Sequence, residues 1–364
     1  MLPTPAYGSE VPPPTVEVAW FSALCDDDYE FLGVPDPMLR SSWEHCRDIV
    51  VGAEEHGFDS VLLPSGYRLG IDATSFAAAV ATVTSRIRLL LAVRVGEVVV
   101  PQLARQLATI DRIAGGRLLL NIISSDVPGE TMASEARYRR TLETMHALRS
   151  LLSGEALDVS GEFVRLDVEP PDVQPVAGCC PPLYFGGLSD AARDCAAAGA
   201  DVYLTWPDTV ENVAMLVDDL RARAARHGRT LRFGWRSHVI VRETEGEARS
   251  AARRLVSRLD AATGEAIRAR SLDSGSVGVR RQAEMRDAAD ADGYLERHLW
   301  TGIGRARSGA GAAIVGDPDQ VLATIARLVE VGIDSFILSG YPHLDECARF
   351  GRSVLPRIRR ERAG

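Results

Sequence analysis

Residues 87–124 read IRLLLAVRVGEVVVPQLARQLATIDRIAGGRLLLNIIS. The stretch opens and closes on short unbroken apolar blocks, IRLLLAV (87–93) and RLLLNIIS (117–124). Blocks without polar alternation suit strands covered on both faces, as in parallel sheets. Between them, VPQLARQLATIDRIAGG (100–116) carries apolar residues at helical spacing and stops at two glycines. Strand, helix and strand in this order form the repeating unit of an α/β protein.

The same rhythm extends both ways. VEVAWFS (16–22), DSVLLPS (59–65), PLYFGG (182–187), DVYLTW (201–206), LRFGWRSHVIV (231–241) and DSFILSG (334–340) also read as strands. Helical patterns lie between them, including SSWEHCRDIVVGAEEHG (41–57) and PDQVLATIARLVEVG (318–332). That makes eight strands in one alternation, which predicts a closed (β/α)8 TIM barrel with insertions. Two stretches break the rhythm. LDVSGEFVRLDV, inside 155–181, reads as a hairpin, and 261–312 is a polar, glycine-rich excursion with helices. The expected organisation is a loose arm over 1–15, one barrel domain over 16–357 and a tail over 358–364.

Composition narrows the class. The 364 residues are 46% hydrophobic and 25% charged, an ordinary soluble profile. A net charge of −9 argues against nucleic acid as a partner, and the apolar runs are too short to span a membrane. No secretory signal pattern is visible, so the expected location is cytoplasmic. Every one of the 41 basic residues is arginine, which excludes a Schiff-base lysine. Six cysteines are scattered without metal-ligand spacing, so no metal site is expected.

Barrel active sites lie at the C-terminal ends of the strands. Those ends read SALCDDD, PSGYR, VRVGE, SSD, FGGLSD, TWPD, RSH and SGYPH, a set that suits a phosphate and a flat polar ring. One strand poses a sharper question. Side chains alternate along a strand, so Arg236 and His238 share a face. They could pair with carboxylates of the barrel, or they could wait for a ligand. Trp206 could be core filler or a ligand wall. Tyr138 could be helix packing, SGYPH (339–343) a simple turn, and Arg305 and Arg307 solvated charges on a mobile glycine-rich loop.

Taken in order, PPLYFGGLSDAA, YLTWPD, RFGWRSHVIVRET, LWTGIGRARSGAGAAIVGD, GIDSFILSGYPHLDE and ATIDRIAGGRLLLNIISSD resemble one family over roughly 16–357. They look like the bacterial-luciferase-like flavin monooxygenases, and within these the FMNH2-dependent alkanesulfonate monooxygenases. The resemblance implies reduced FMN supplied by a separate NAD(P)H-dependent flavin reductase, with O2 as co-substrate. It also implies oxygenolytic desulfonation of an organosulfonate to an aldehyde and sulfite. Arg236, His238, Trp206, Arg307 and Tyr341 would line the pocket for an anionic substrate and the peroxyflavin. Asn121, Ser125, Tyr138, Gly187 and Ser189 would contact the flavin, the last three near its phosphate. His238 would exchange a proton near neutral pH, and the loop with Arg307 would close as a lid. A homodimer or homotetramer is expected by the same likeness.

The sequence departs from that family at strand ends. PSGYRLGIDATS (64–75) lacks the cysteine common in enzymes of simple alkanesulfonates, and ALCDDDYEFLG replaces a histidine-bearing loop. The acids at 26–28 would repel a second negative charge. A larger sulfonate, a sulfone, or a non-sulfur substrate such as a carbon–nitrogen or carbonyl compound therefore stays open as an alternative.

Overall fold

The computed structural model describes residues 16–269 and 275–360. The expected arm at 1–15 and the end of the expected tail at 361–364 lie outside the described residues; 358–360 belong to a helix, Leu355–Arg360.

The first four strands, β1 (Glu17–Phe21), β2 (Ser60–Leu63), β3 (Arg88–Arg94) and β4 (Leu118–Ile123), lie side by side in parallel. Next comes an antiparallel hairpin, β5 (Leu157–Ser160) with β6 (Arg165–Val168), which forms a sheet of its own. The main sheet resumes with β7 (Leu183–Phe185), β8 (Val202–Thr205) and β9 (Arg232–Val241). Three short strands follow, β10 (Tyr294–Glu296), β11 (Leu299–Trp300) and β12 (Ala313–Gly316), before β13 (Ser335–Ser339). β13 pairs with β1 on one side and β9 on the other, and β9 pairs with β8. That pairing closes an eight-stranded parallel barrel.

Both faces of the barrel strands are covered, which is why their sequences show apolar blocks. Val18, Trp20, Val61, Leu63, Leu89 and Leu91 pack outward under the helices. Ala19, Phe21, Leu62, Leu90, Leu119 and Ile337 fill the interior. The N-terminal end is closed by charge. Glu17 lies 3.1 Å from Arg88 and 3.3 Å from Arg232, and Arg232 lies 3.1 Å from Asp334. Burial pushes the Glu17 carboxyl up, but the two arginines outweigh it and hold the group below its ordinary range.

β10 and β11, inside the expected excursion, and β12, just past it, were not legible as strands. β12 matters most, because it pairs with the upper half of β9, from Ala313 opposite His238 to Gly316 opposite Val241. β13 occupies the other edge of β9 at His238, so β12 continues the edge that β8 covers lower down. The segment just after Arg307 is thereby bonded into the sheet.

At the C-terminal end, the loop after β1 is tied to the end of β13. Asp28 is buried. Its carboxylate accepts from the His343 backbone N–H (3.0 Å) and lies 2.9 Å from both His343 Nδ1 and His45 Nε2. Burial raises the Asp28 pKa, and the His343 and His45 contacts outweigh it, leaving the carboxyl far below its ordinary value. The unfolded chain therefore binds this proton more tightly than the folded one. Asp28 stabilises the fold above the ordinary aspartate pKa, near 4, and the contribution is lost as pH falls through the depressed value. Asp28→Asn is expected to cost about 3 kcal/mol at pH 7 and to flatten the acid limb of stability, read by urea denaturation between pH 3 and 7.

Candidate active site

The inward face of β9 sets the centre of the site. Arg236 is buried, its Nη2 donating to Ser339 Oγ (2.9 Å) and its Nη1 to the Ser237 carbonyl (2.5 Å). Its guanidinium also lies over the Phe21 ring, 4.3 Å from the centroid. It makes no ion pair with any described carboxylate. Burial, reinforced by the Arg307 charge, lowers its pKa to about 9, so it still carries its charge at neutral pH.

His238 sits behind it, fully buried. Its Nδ1 lies 2.8 Å from Ser339 Oγ. That oxygen already accepts from Arg236, and its own proton has no other acceptor among the described residues. The proton therefore goes to Nδ1 and the ring hydrogen sits on Nε2. Burial and the Arg236 and Arg307 charges push the imidazole pKa well below its ordinary value. The expected proton exchange of His238 near neutral pH would thus place a charged imidazole, buried, beside two cations.

Arg307 is not a solvated charge. Its Nη1 donates to Asp27 Oδ2 (2.6 Å) and to the Tyr341 hydroxyl (2.9 Å), and it too lies near the Phe21 ring. Burial opposes its charge, yet Asp27 and Tyr341 hold its pKa above the ordinary value. Tyr341 stacks on His238 with centroids 5.1 Å apart, and burial raises its phenol pKa, so the hydroxyl stays protonated. Because its oxygen accepts from Arg307, its proton is left to donate. The acids at 26–28 are engaged rather than facing a ligand as bare charges. Asp26 accepts from the Ser41 N–H, Asp27 holds Arg307 and Asp28 holds the histidines.

Two cavities open around this cluster. The larger, about 620 Å³, is lined by Asn121, Ser125, Tyr138, Gly187, Ser189, Trp206 and Arg236. All five expected flavin contacts are thus on one surface, although they come from two separate strand ends and a helix. Ser189 caps the helix Asp190–Gly199, its Oγ accepting from the Ala192 N–H (3.2 Å). Gly187 has φ 151°, and a Cβ there would stand 2.7 Å from Ala192 Cβ. Ser125 Oγ is buried with no hydrogen-bond partner among the described residues. The smaller cavity, about 280 Å³, is lined by Arg307 and Tyr341 together with Arg94 and Asp27. His238 borders neither and contacts Ser339 and Tyr341 instead. Sequence reasoning missed Ser339, which joins Arg236 to His238, and Phe21, whose ring both arginines approach. The signal for Ser339 was its place two residues after Ile337 on one inward strand face.

A model of the luciferase-like monooxygenases matches residues 31–335. The chain belongs to that family. It is 62% identical to a sulfoquinovose monooxygenase of Novosphingobium aromaticivorans, over 94% of this chain and 96% of the relative. It is 51% identical to a sulfoquinovose monooxygenase of Agrobacterium fabrum, over 94% and 90%. A riboflavin lyase structure superposes with a TM-score of 0.78 at 16% identity, covering 95% of this chain and 92% of the other, which supports the fold. The expected barrel and family are both borne out, and the chain is a monooxygenase of a family that uses reduced FMN and O2. No helix among the described residues is long and apolar enough to cross a membrane.

In this monooxygenase the His238 ring is expected to stay neutral, with its hydrogen on Nε2, from pH 8 down to pH 5. Imidazole 15N chemical shifts check this; protonation near pH 6.5 would overturn the buried, doubly flanked assignment.

Proposed function

We propose that this chain catalyses the FMNH2- and O2-dependent desulfonation of sulfoquinovose, releasing an aldehyde and sulfite. The observation that carries the reading is Arg236, a buried guanidinium with no carboxylate of its own beside a ligand-sized cavity. A buried charge without a counter-charge is costly unless a ligand completes it. A sulfonate is a permanent anion with three acceptor oxygens, and guanidinium donors match it. The names of the two curated relatives supply the sugar.

The larger cavity fits FMN. Its volume lies in the range of cofactor sites, roughly 300–1,000 Å³. Ser189 and the start of its helix, with Arg280 at the rim, would hold the phosphate, and Gly187 leaves room for it. Asn121 and Ser125 would bond the polar edge of the ring, and Trp206 would wall it. Reduced FMN, when bound, supplies the two electrons with which O2 gives one oxygen atom to carbon and the other to water. A separate NAD(P)H-dependent reductase would deliver it.

The chain's own residues set the rest. Arg236 draws the sulfonate to the barrel centre. Ser339 keeps Arg236 aimed and fixes the His238 tautomer, so Nε2 presents a hydrogen and cannot take one. Tyr341 holds a proton on a buried hydroxyl that Arg307 positions. In balance, the C–S bond breaks, a carbonyl C=O forms at that carbon, and sulfur leaves as hydrogensulfite.

Supplied with FMN, a flavin reductase and NAD(P)H, the protein is expected to release sulfite from sulfoquinovose in step with O2 uptake; no sulfite above the substrate-free rate would sink the reading. Arg236→Ala is expected to lower kcat/KM at least 100-fold. Gly187→Ala should weaken FMN binding about tenfold or more in a fluorescence titration, because the new Cβ collides with Ala192.

A further inference from the structure

The helix Val277–Ala288 enters the reading above only through Arg280 at the cavity rim. Its buried face is unusual. The buried residues are Gly278, Gln282 and Met285, where an ordinary helix would show an aliphatic stripe. We propose that Gln282 is a positioning residue for the oxygenation, a brace whose amide ties the loop carrying Arg307 to the wall formed by Trp206. The inference rests on the desulfonation reading. It adds the group that fixes how the flavin wall and the Tyr341 hydroxyl stand to each other.

Both partners of the amide are main-chain groups. Nε2 donates to the Pro207 carbonyl (2.8 Å), and Oε1 accepts from the Gly311 N–H (3.0 Å). A carbonyl only accepts and an N–H only donates, so the amide fits one way round. Gln282 is 6% exposed. Leucine or methionine would fill the same space without burying an amide. What glutamine adds is a fixed distance between two segments far apart in the chain, since a fully satisfied buried polar group makes its surroundings rigid.

Pro207 follows Trp206 directly, so holding its carbonyl holds the wall of the larger cavity. The helix also packs on the ring itself. A Cβ at Gly278 would stand 2.9 Å from Trp206 Cζ3, so this approach needs glycine. One turn along, Arg281 donates from Nε and Nη2 to the two carboxylate oxygens of Asp208 (2.6 and 2.8 Å).

Gly311 closes the neck of the Arg307 loop. Its carbonyl accepts from the Gly304 N–H (2.7 Å), and the Gly304 carbonyl accepts from Arg286 Nη1 (3.0 Å). Ala312, next in the chain, accepts the His238 N–H (3.1 Å) on β9. Between 304 and 311 the loop carries Arg307 to Asp27 and Tyr341. One side chain thus joins the Trp206 wall to the neck of the loop that aims the Tyr341 hydroxyl.

A misplacement of about 1 Å between reacting groups costs on the order of 100-fold in rate. If wall and loop drift apart, reduced FMN gives both its electrons and two protons to O2. One hydrogen peroxide then forms per flavin, and the C–S bond stays intact.

The test compares Gln282→Met, which keeps the bulk and removes both bonds, with Arg281→Met, which breaks the neighbouring ion pair and leaves the brace. The intact protein is supplied with FMN, NAD(P)H, sulfoquinovose and limiting reductase. Gln282→Met is expected to lower kcat about 10- to 100-fold with KM changed less than about threefold, and to cut sulfite per NAD(P)H about fivefold or more as peroxide rises. A second readout needs no turnover. Bound oxidised FMN should fluoresce about twofold or more brightly in Gln282→Met, because Trp206 quenches the ring only while held against it. An FMN dissociation constant within about threefold of the wild type shows that each variant folds. Gln282→Leu, read the same way, should match Gln282→Met, whereas Arg281→Met should keep both the sulfite ratio and the quench. An unchanged sulfite ratio or an unchanged quench in the Gln282 variants would overturn the brace, as would an Arg281→Met enzyme that is equally uncoupled. A wild type that releases no sulfite fails the desulfonation reading instead, and the fluorescence readout still tests the brace.

Discussion

The site depends on a positive charge that the fold buries without neutralising. Arg236 is held by a serine hydroxyl, a peptide carbonyl and the face of Phe21. None of these cancels a unit charge as a carboxylate would. The folded protein carries that cost, and the electrostatics around it follow. The imidazole next to Arg236 is kept neutral, and the second guanidinium, Arg307, stays close only because Asp27 balances it. One cation is compensated internally and the other has no described carboxylate beside it. This division of labour leaves the barrel mouth with one uncompensated positive charge.

Much of the fold was legible because its strands are doubly buried. IRLLLAV and RLLLNIIS announce themselves by apolar blocks, and glycine and proline punctuation separates them from helices of clear periodicity. β10, β11 and β12 escaped notice for equally physical reasons. Three and two residues are too few to show a period, and AIVG is embedded in glycines and small residues that read as loop. Their pairing is a tertiary event: β12 exists as a strand because β9 outruns β8 and offers a free edge.

The candidate site was legible residue by residue but not as a network. The inward parity of Arg236 and His238 follows from strand geometry alone. Their shared partner, Ser339, is 101 residues from His238, and Asp27 is 280 residues from Arg307. Local pattern carries no information about contacts of that range. The acidic run at 26–28 looked like a repulsive patch because its counter-charges lie elsewhere in the chain. The enclosure of His238 was hidden for the same reason: an exposed imidazole titrates near neutrality, and only the packed structure shows that this one is buried.

β9 has a consequence beyond its length. The same ten residues form the seam that seals the barrel against β8 and β13, the edge that receives β12, and the platform for the inward arginine and imidazole. Sealing the cylinder and assembling its chemistry are therefore a single folding event. A slip of one residue along that seam would turn the arginine and the imidazole outward under the helices and bring Trp235 and Ser237 inside. Hydrogen-bond register, rather than any individual contact, is what guards the identity of this site.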